Sequence, residues 1–303
     1  MKVVIGGANG LIGKQLTRAL ASRGDEVVQL VRAVHGPQAS GGITQVLWDG
    51  RSSGPWSSNI EGADAVINLA GANVGQHRWS EARKREILAS RIDSTRVLVS
   101  AMRAASLRPR TFICASAVGI YGPRGDEPID EGTAAGSDFL AGVCAAWEAE
   151  AKSAEALSVR CVQMRTGIVL AQQGKGSALD PLLIPFKLFI GGPVGSGKQW
   201  FPWIHLEDEV AAFLWALDHD ALRGPVNAVS PGIVTMRELC VQLGRALHRP
   251  SWLPVPAAAL RLAVGQFSEA LLTGQRAVPS RLVESGFQFR FPDLARALAA
   301  LLG

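Results

Sequence analysis

The sequence predicts a doubly wound α/β fold, in which a parallel sheet is covered by helices on both faces. Three observations predict it. Short, β-branched apolar runs alternate with longer helical patterns in the first half, a glycine-rich turn joins the first run to the first helix, and glycine, proline and large apolar residues become frequent from about residue 174. Alternation of this kind is typical of strands buried on both faces. We expect a nucleotide-type domain over residues 1–170 and a smaller, mixed, mainly helical domain over 171–303.

The elements follow from the pattern in order. The apolar runs predicted as strands read KVVIGG, EVVQLVR, ITQVLW, DAVINLAG, RTFICAS and VRCVQMRTGIVL. The segments predicted as helices read LIGKQLTRALASRG, WSEARKREILASRIDSTRVLVSAMRAA, FLAGVCAAWEAEAKSAEA and IHLEDEVAAFLWALDHD. The last of these, near residues 205–218, is expected to pack back on the first domain. From Thr235 onward, several helical segments are separated by prolines.

Composition excludes several classes of protein. The chain has 303 residues, 48% of them hydrophobic and 19% charged, so it is long and apolar enough to bury a core. The formal charge of +5 comes from dispersed basic residues, and we expect no nucleic acid partner. The four cysteines form no CxxC pair, which predicts neither a metal site nor a disulfide framework. No apolar run reaches 18 residues and no signal peptide is evident, so we expect a cytoplasmic protein without a membrane partner.

The segment GGANGLIG contains the most informative spacing. Gly7, Gly10 and Gly13 form a GxxGxxG frame between the first strand and the first helix. A tight turn, close approach of a pyrophosphate and close helix–strand packing each require a residue without Cβ, and the helix N-terminus attracts phosphate. An ordinary strand-to-helix turn is the alternative interpretation, but the position at the first strand favours a dinucleotide site. In this reading Asn9, Leu11 and Ile12 belong to the phosphate-binding loop.

The end of the second strand bears on the choice between NAD and NADP. An acidic residue about 20 positions beyond the loop would bind the ribose 2′-hydroxyl, whereas an arginine accommodates a 2′-phosphate. Arg32 occupies that place in LVRAVH, with no acid beside it. A solvated surface arginine is the alternative, but a guanidinium matches phosphate geometry. The sequence therefore predicts NADP(H).

These motifs together resemble the extended short-chain dehydrogenase/reductases. The combination of GxxGxxG, DAVINLAG, SAVGIYG, RTGIVL and WIHLEDEV carries the resemblance. The stretches RWSEARKREILASRIDSTR and PFKLFIGGPVGSGKQWFPWIHLEDEV resemble one atypical subfamily, the SDR39U1/YfcH-type epimerase-like proteins. The resemblance covers nearly the whole chain. It implies a Rossmann domain, bound NADP(H) and a C-terminal domain for a small-molecule substrate, and it leaves the substrate unnamed.

The resemblance also assigns residues. Leu69, Ala70 and Gly71 match the backbone beside the adenosine ribose and phosphates, and Val169 matches the loop that faces the nicotinamide amide. Glu86 and Arg91 match a stretch of the long helix that reaches the cofactor, although a solvent-facing ion pair is an equal alternative. Members of this superfamily often dimerise through helices flanking the sheet, so a homodimer through the helix at 79–106 is possible.

The expected catalytic pair is missing from the sequence. The superfamily uses Tyr-xxx-Lys on the helix after the serine strand, where the tyrosine moves a proton and the lysine lowers its pKa. That helix has Phe139 and Val143 at these positions, or Leu140 and Cys144 one residue later. Tyr121 is the only tyrosine in the chain.

Two candidates for catalysis remain. Ser116 matches the family serine that contacts the substrate oxygen, although a strand-end serine capping a turn is an alternative. Tyr121 matches a pocket-lining position and is the weaker candidate for proton transfer. We therefore expect an NADP(H)-binding oxidoreductase or epimerase-like enzyme, with a catalytically silent cofactor-binding regulatory or scaffold protein as the rival.

Overall fold

The computed structural model describes residues 1–34, 39–172 and 177–303. Within these ranges the strands are, in chain order, β1 (Lys2–Gly6), β2 (Glu26–Val31), β3 (Ala39–Ser40), β4 (Ile43–Leu47), β5 (Ala65–Asn68), β6 (Thr111–Ala117), β7 (Pro128–Ile129), β8 (Arg160–Thr166), β9 (Ile168–Leu170), β10 (Trp200–Phe201), β11 (Trp203–His205), β12 (Gly224–Ala228), β13 (Val234–Thr235) and β14 (Arg276–Ala277).

The helices of the same ranges alternate with the strands in the first half and dominate the second. They are α1 (Leu11–Ser22), α2 (Glu81–Ala104), α3 (Phe139–Lys152), α4 (Leu179–Lys187), α5 (Leu206–Asp218), α6 (Met236–Leu247), α7 (Ala257–Val264), α8 (Ser268–Leu272), α9 (Ser280–Glu284) and α10 (Leu294–Leu302). No helix of the described ranges is long and apolar enough to cross a membrane.

The central sheet confirms the predicted doubly wound fold. Its parallel strands lie in the order β12-β8-β6-β5-β1-β2-β4, and the short β3 pairs antiparallel at the outer edge of β4. The chain runs outward from β1 to β4 and then restarts on the other side of β1 with β5. In open α/β sheets, ligands bind outside the carboxyl ends of the strands at this reversal point. The crevice between β1 and β5 is therefore the place to look for a site.

Side chains alternate between two helical layers, as the period of a strand requires. On one face, Val3 and Ile5 of β1 pack with Leu16 of α1 and Phe213 of α5. On the other face, Val4 packs in a cluster with residues of α2 and α3. The helix α5 thus packs on the central sheet.

Two features of the sheet differ from the sequence-based prediction. The run VRCVQMRTGIVL is not one strand: β8 ends at Thr166, and β9 joins β11 in a separate two-stranded sheet. Gly167 makes the break possible, because a Cβ there would lie 2.6 Å from the Pro202 carbonyl oxygen. The edge strand β12 was not predicted, and it returns residues 224–228 to the central sheet beside β8. Its GPVNA sequence begins with glycine and proline, which weakened the strand signal.

The remaining C-terminal elements build a core of their own. Residues of α4, α6 and α10 pack around Phe201 and the fully buried Trp203. The aromatic cluster WFPW is therefore mostly interior packing. The prediction of a helical region after the sheet is confirmed. The domain boundary at residue 170 remains a prediction; beyond it, α5 packs on the sheet and β12 is one of its strands.

Candidate cofactor and catalytic site

The glycine loop lies between β1 and α1 at the reversal point of the sheet. Gly7 has φ +79°, and a Cβ there would lie 2.6 Å from the Leu69 carbonyl carbon. A Cβ at Gly13 would lie 2.5 Å from the Gly7 carbonyl oxygen. At Gly7 the loop is in close contact with the segment after β5, and at Gly13 the helix α1 is in close contact with the loop. Both positions therefore require glycine for reasons of space.

The N-terminus of α1 is open for an anion. Gly10, the N-cap residue, has no side chain with which to cap the helix, and no acidic residue stands in its first turn. Asn9 and Gly10 are exposed, whereas Leu11 and Ile12 are half-buried and contact the core. The first N–H groups of a helix have no partner within it, and they favour a phosphate. The loop thus fits the pyrophosphate of a dinucleotide.

The segment after β5 forms the second wall of the crevice. The Leu69 amide donates to the Gly6 carbonyl oxygen over 2.8 Å, so Leu69, Ala70 and Gly71 follow directly beside the glycine loop. The Asn68 side chain supports the segment: its oxygen accepts from the Ala70 amide, and its amide donates to Thr95 Oγ1 of α2. The structure therefore brings the predicted residues of both segments together.

Arg32 directly follows β2 at the carboxyl edge of the sheet, where the glycine loop also lies. Gly6 lies opposite Leu30 in the parallel pair of β1 and β2, so Arg32 is two residues beyond the level at which the glycine loop begins. Its side chain is exposed, and none of the described ion pairs includes it. This position suits contact with the distal, adenosine end of a dinucleotide.

Arg91 and Glu86, both on α2, differ in their surroundings. Arg91 Nη1 donates to the Ala72 carbonyl oxygen over 3.1 Å, and its guanidinium lies 5.1 Å from the ring centroid of Trp147. Burial lowers the pKa of Arg91, and no described carboxylate pairs with it. Glu86 is 51% exposed and pairs with Arg83 over 2.7 Å. Arg91 therefore lies at the crevice, while Glu86 has the geometry of the surface ion pair considered as the alternative.

Val169 lies in β9, opposite Ile204 of β11, and is half-buried against the core that contains Ile12. The strand β9 follows Thr166, the last residue of β8. Because β8 ends at Thr166, Val169 lies beyond the carboxyl end of that strand.

Ser116 lies at the end of β6 and belongs to a buried polar network. Its hydroxyl donates to Glu148 Oε1 of α3 over 2.6 Å. Arg165 of β8 binds the same carboxylate through Nε and Nη2, both at 2.8 Å. Ser116 is 4% exposed. The single hydroxyl proton of Ser116 is therefore directed at Glu148, and only oxygen lone pairs face other partners.

Tyr121 belongs to the same network through Arg165. Its hydroxyl donates to Asn227 Oδ1 over 2.7 Å and accepts from Arg165 Nη1 over 2.9 Å. The side chain has no exposed surface, and burial raises the pKa of its phenol. This geometry is that of an interior hydrogen-bonding residue. The lack of exposed surface argues against a role in lining a pocket or in proton transfer. Both roles remain untested predictions for Tyr121.

The first residue of α3 takes part in an aromatic contact. Phe139, the first residue of α3, lies edge-on to Trp79 with ring centroids 5.1 Å apart. Trp79 also contacts Phe267 of the C-terminal region at 5.7 Å. These three rings join the two halves of the molecule near the start of α2 and α3.

The N-terminus of α5 contains buried polar groups that face inward. His205 is the N-cap residue, and its Nδ1 accepts from the Glu207 amide over 3.1 Å, which is a structural role. Asp208 accepts from the amides of Arg290 and Phe291. Glu209 accepts from Thr166 Oγ1 over 2.7 Å, and burial raises its pKa to about 8. Asp208 and Glu209 are thus buried groups, 2% and 0% exposed.

Sequence reasoning missed Glu148, Arg165 and Asn227. A signal was present: Arg165 interrupts the apolar run of β8, and Glu148 follows Trp147 on a largely apolar helix. A charge inside such a run indicates a buried partner. Among the described residues, no group of three or more His, Cys, Asp or Glu side chains could hold a metal ion.

Comparison with known families decides the relationship. The model of the NAD dependent epimerase/dehydratase family matches residues 3–228, which run from Val3 of β1 to the end of β12 in the central sheet. The chain belongs to this epimerase family. A second model, a domain of unknown function named DUF1731, matches residues 255–301.

Relatives within the epimerase family match nearly the whole chain. The epimerase family protein ML0860 of Mycobacterium leprae is 40% identical over 98% of this chain and 94% of its own. YfhF of Bacillus subtilis is 36% identical over 100% of this chain and 98% of its own. The crystal structure of human epimerase family protein SDR39U1 with NADPH has a TM-score of 0.89 at 35% identity, covering 100% and 99% of the two chains. The resemblance inferred from the motifs is confirmed.

Proposed function

We propose that the chain binds NADP(H) and acts as an oxidoreductase or epimerase-like enzyme on a small molecule. The observation that carries the proposal is the uncapped N-terminus of α1 behind a glycine loop that has no room for a Cβ at Gly7 or Gly13. The human relative with 35% identity was crystallised with NADPH, which supports the same cofactor here. When bound, the dinucleotide supplies or accepts hydride at its nicotinamide ring.

Different residues of the chain bind different parts of the dinucleotide. The amides at the start of α1 bind the pyrophosphate, and the segment Leu69–Gly71 lies beside the adenosine ribose and phosphates. The guanidinium of Arg32 binds the 2′-phosphate by a bidentate contact. Arg91 positions Ala72 through its carbonyl oxygen and supports the same segment from α2.

Ser116 is the better of the two catalytic candidates, because Tyr121 has no exposed surface and Ser116 retains a little. Since its proton is donated to Glu148, Ser116 accepts a hydrogen bond from a substrate hydroxyl. During oxidation of that alcohol, the substrate carbon would give its hydride to bound NADP⁺, the hydroxyl proton would pass to Ser116 Oγ, and the original serine proton would pass to Glu148 Oε1. Arg165 holds the carboxylate in place for this transfer.

Calorimetry with NADPH, NADP⁺ and NADH tests the cofactor assignment. We expect tighter binding of NADPH than of NADH, and a loss of NADPH affinity of at least about tenfold in Arg32→Ala, with little change for NADH. Arg18→Ala is the matched control, because Arg18 is an exposed arginine on α1 beyond its first turn. Equal affinities for NADPH and NADH, or no binding at all, would contradict the proposal.

A catalytically silent, cofactor-binding regulatory or scaffold protein is the second candidate. The observation that favours it is that both Ser116 and Tyr121 donate their hydroxyl protons to buried partners. A panel of alcohols, carbonyls and nucleotide sugars, followed by NADPH absorbance, separates the two. Turnover that is lost in Ser116→Ala and kept in Tyr121→Phe supports the enzyme. Tight NADPH binding without turnover on any member of the panel supports the silent protein.

A further inference from the structure

An exposed apolar surface lies in the C-terminal region. It consists of Leu188, Phe189 and Ile190, which follow α4, and of Trp252 and Leu253, which follow α6. Their exposed fractions run from 40% to 64%. The two segments are joined, because the Trp252 indole donates to the Phe189 carbonyl oxygen over 3.2 Å. We call these five residues the apolar patch, and exposed patches of this kind mark interaction sites.

The backbone of the patch is held in an uncommon conformation. Phe189 has φ +63°, in the left-handed region that residues other than glycine rarely adopt. The Trp252 and Leu253 amides both donate to the Gly191 carbonyl oxygen, which fixes the second segment against the first. The large side chains are therefore presented outward by an ordered backbone, and strained positions of this kind cluster at functional sites.

Basic side chains surround the patch. Lys187, Arg245, His248 and Arg249 are exposed, and the Arg249 guanidinium lies 4.4 Å from the ring centroid of Phe189. None of the described ion pairs includes Lys187, Arg245 or Arg249. The sequence accentuates this charge, because residues 181–206 and 239–268 contain no Asp or Glu. Both segments of the patch thus lie in stretches whose only formal charges are positive.

A shallow hollow of about 530 Å³ adjoins the patch. Arg245, His248, Arg249 and Ser251 line it together with Val241 and Gly244. The Ser251 Oγ is buried and has no hydrogen-bond partner among the described residues. A hydroxyl donor in a hollow lined by two arginines suits a phosphate oxygen, because charge-assisted hydrogen bonds from arginine are the strongest available to it.

We propose that this surface docks the protein on an anionic phospholipid membrane. The apolar patch contacts the acyl boundary, the three basic side chains of the hollow contact headgroup phosphates, and Trp252 lies at the interface. Tryptophan, phenylalanine and leucine beside lysine and arginine are typical of surfaces that lie in the headgroup region. A second copy of the chain fits less well, because a two-fold interface would bring the same arginines of both copies together. The expectation of no membrane partner rested on the lack of a spanning segment and does not bear on peripheral docking.

Vesicle flotation of the full-length protein tests the proposal. We expect binding to vesicles of phosphatidylcholine with 30% phosphatidylglycerol, little binding to phosphatidylcholine alone, and weakening in 0.5 M NaCl. The double variant Arg245→Glu/Arg249→Glu should lower the partition coefficient at least about tenfold. Phe189→Ser/Trp252→Ala should lower it through lost apolar contact. The two variants act independently, so misfolding of one leaves the other informative.

Matched controls lie at the amino-terminal edge of the sheet. Leu107 is 68% exposed and Arg108 is also exposed, both just before β6. Leu107→Ser and Arg108→Glu should bind vesicles as the wild type does, and all variants should retain NADPH affinity. No binding to anionic vesicles, or unchanged binding in both patch variants, overturns the proposal. So does a wild-type dimer in light scattering that Phe189→Ser/Trp252→Ala dissociates without vesicle binding, which would assign the patch to a second copy.

Discussion

Ser116 donates its hydroxyl proton to Glu148 over 2.6 Å, and Arg165 binds the same carboxylate from the neighbouring strand. A serine hydroxyl, a carboxylate and a guanidinium from β6, α3 and β8 thus form one buried unit at the carboxyl end of the sheet. The orientation of the Ser116 hydroxyl therefore depends on the ion pair between Glu148 and Arg165. This relationship also makes the pair a determinant of stability.

Removing the charge of Glu148 should destabilise the fold. Glu148→Gln leaves Arg165, which is 8% exposed, without its counter-ion, and breaking a buried pair from one side costs about 3 kcal/mol or more. Urea unfolding measures the change. The control is Glu150→Gln, which removes a pair with Arg96 that is 56% exposed on the arginine side, and there the expected loss is below about 1 kcal/mol. Equal losses in the two variants would contradict a buried network.

Removing the phenol of Tyr121 should affect stability and not cofactor binding. Tyr121→Phe leaves Asn227 Oδ1 and one Arg165 donor without their partner in the interior, which costs about 1–3 kcal/mol. The free energy of unfolding should fall by this amount, while calorimetry should give an unchanged NADPH dissociation constant. A marked loss of NADPH affinity at wild-type stability would instead place Tyr121 in the cofactor site.

Glu209 should make stability depend on pH. Burial raises the pKa of this carboxyl from 4.5 to about 8, and its Oε2 is buried without a partner among the described residues. Between these two values the unfolded chain releases the proton and the folded chain retains it. The free energy of unfolding should therefore fall as pH rises from about 4.5 to 8, by up to about 1.4 kcal/mol per pH unit.

The variant Glu209→Gln has no proton to release and should flatten that part of the pH profile. Denaturant unfolding at several pH values, with Glu284→Gln as the exposed control, measures the difference. At pH 8 the Glu209→Gln variant should be at least as stable as the wild type. Parallel profiles for wild type and Glu209→Gln would show that Glu209 ionises normally.

Substitutions at two glycines with positive φ distinguish the cost of backbone strain from the effect of a steric clash. Gly24 has φ +88° with no atom within 4 Å of an added Cβ, whereas Gly7 has φ +79° with the Leu69 carbonyl carbon at 2.6 Å. Gly24→Ala should cost about 1 kcal/mol and retain NADPH binding. Gly7→Ala should abolish NADPH binding, because the loop or the Leu69 segment must move. Thermal unfolding and calorimetry measure both, and wild-type affinity in Gly7→Ala would contradict the loop assignment.

Much of the fold could be predicted because its signals are local. The strands β1, β2, β4, β5 and β6 and the helices α1, α2, α3 and α5 follow from apolar period, caps and glycine stops within a few residues. The split at Gly167 and the edge strand β12 could not be predicted, because both depend on distant backbone: the Pro202 carbonyl in one case and β8 in the other.

For the site, the sequence by itself determined the glycine frame, the arginine after β2 and the lack of a tyrosine on α3, since each is a matter of residue type and spacing. Only the tertiary structure decided which of the remaining hydroxyls is accessible. Ser116 and Tyr121 lie five residues apart, yet their partners Glu148, Arg165 and Asn227 are 32 to 106 residues away in the chain. Partners at such separations are brought together by strand order and helix packing, which local pattern does not encode.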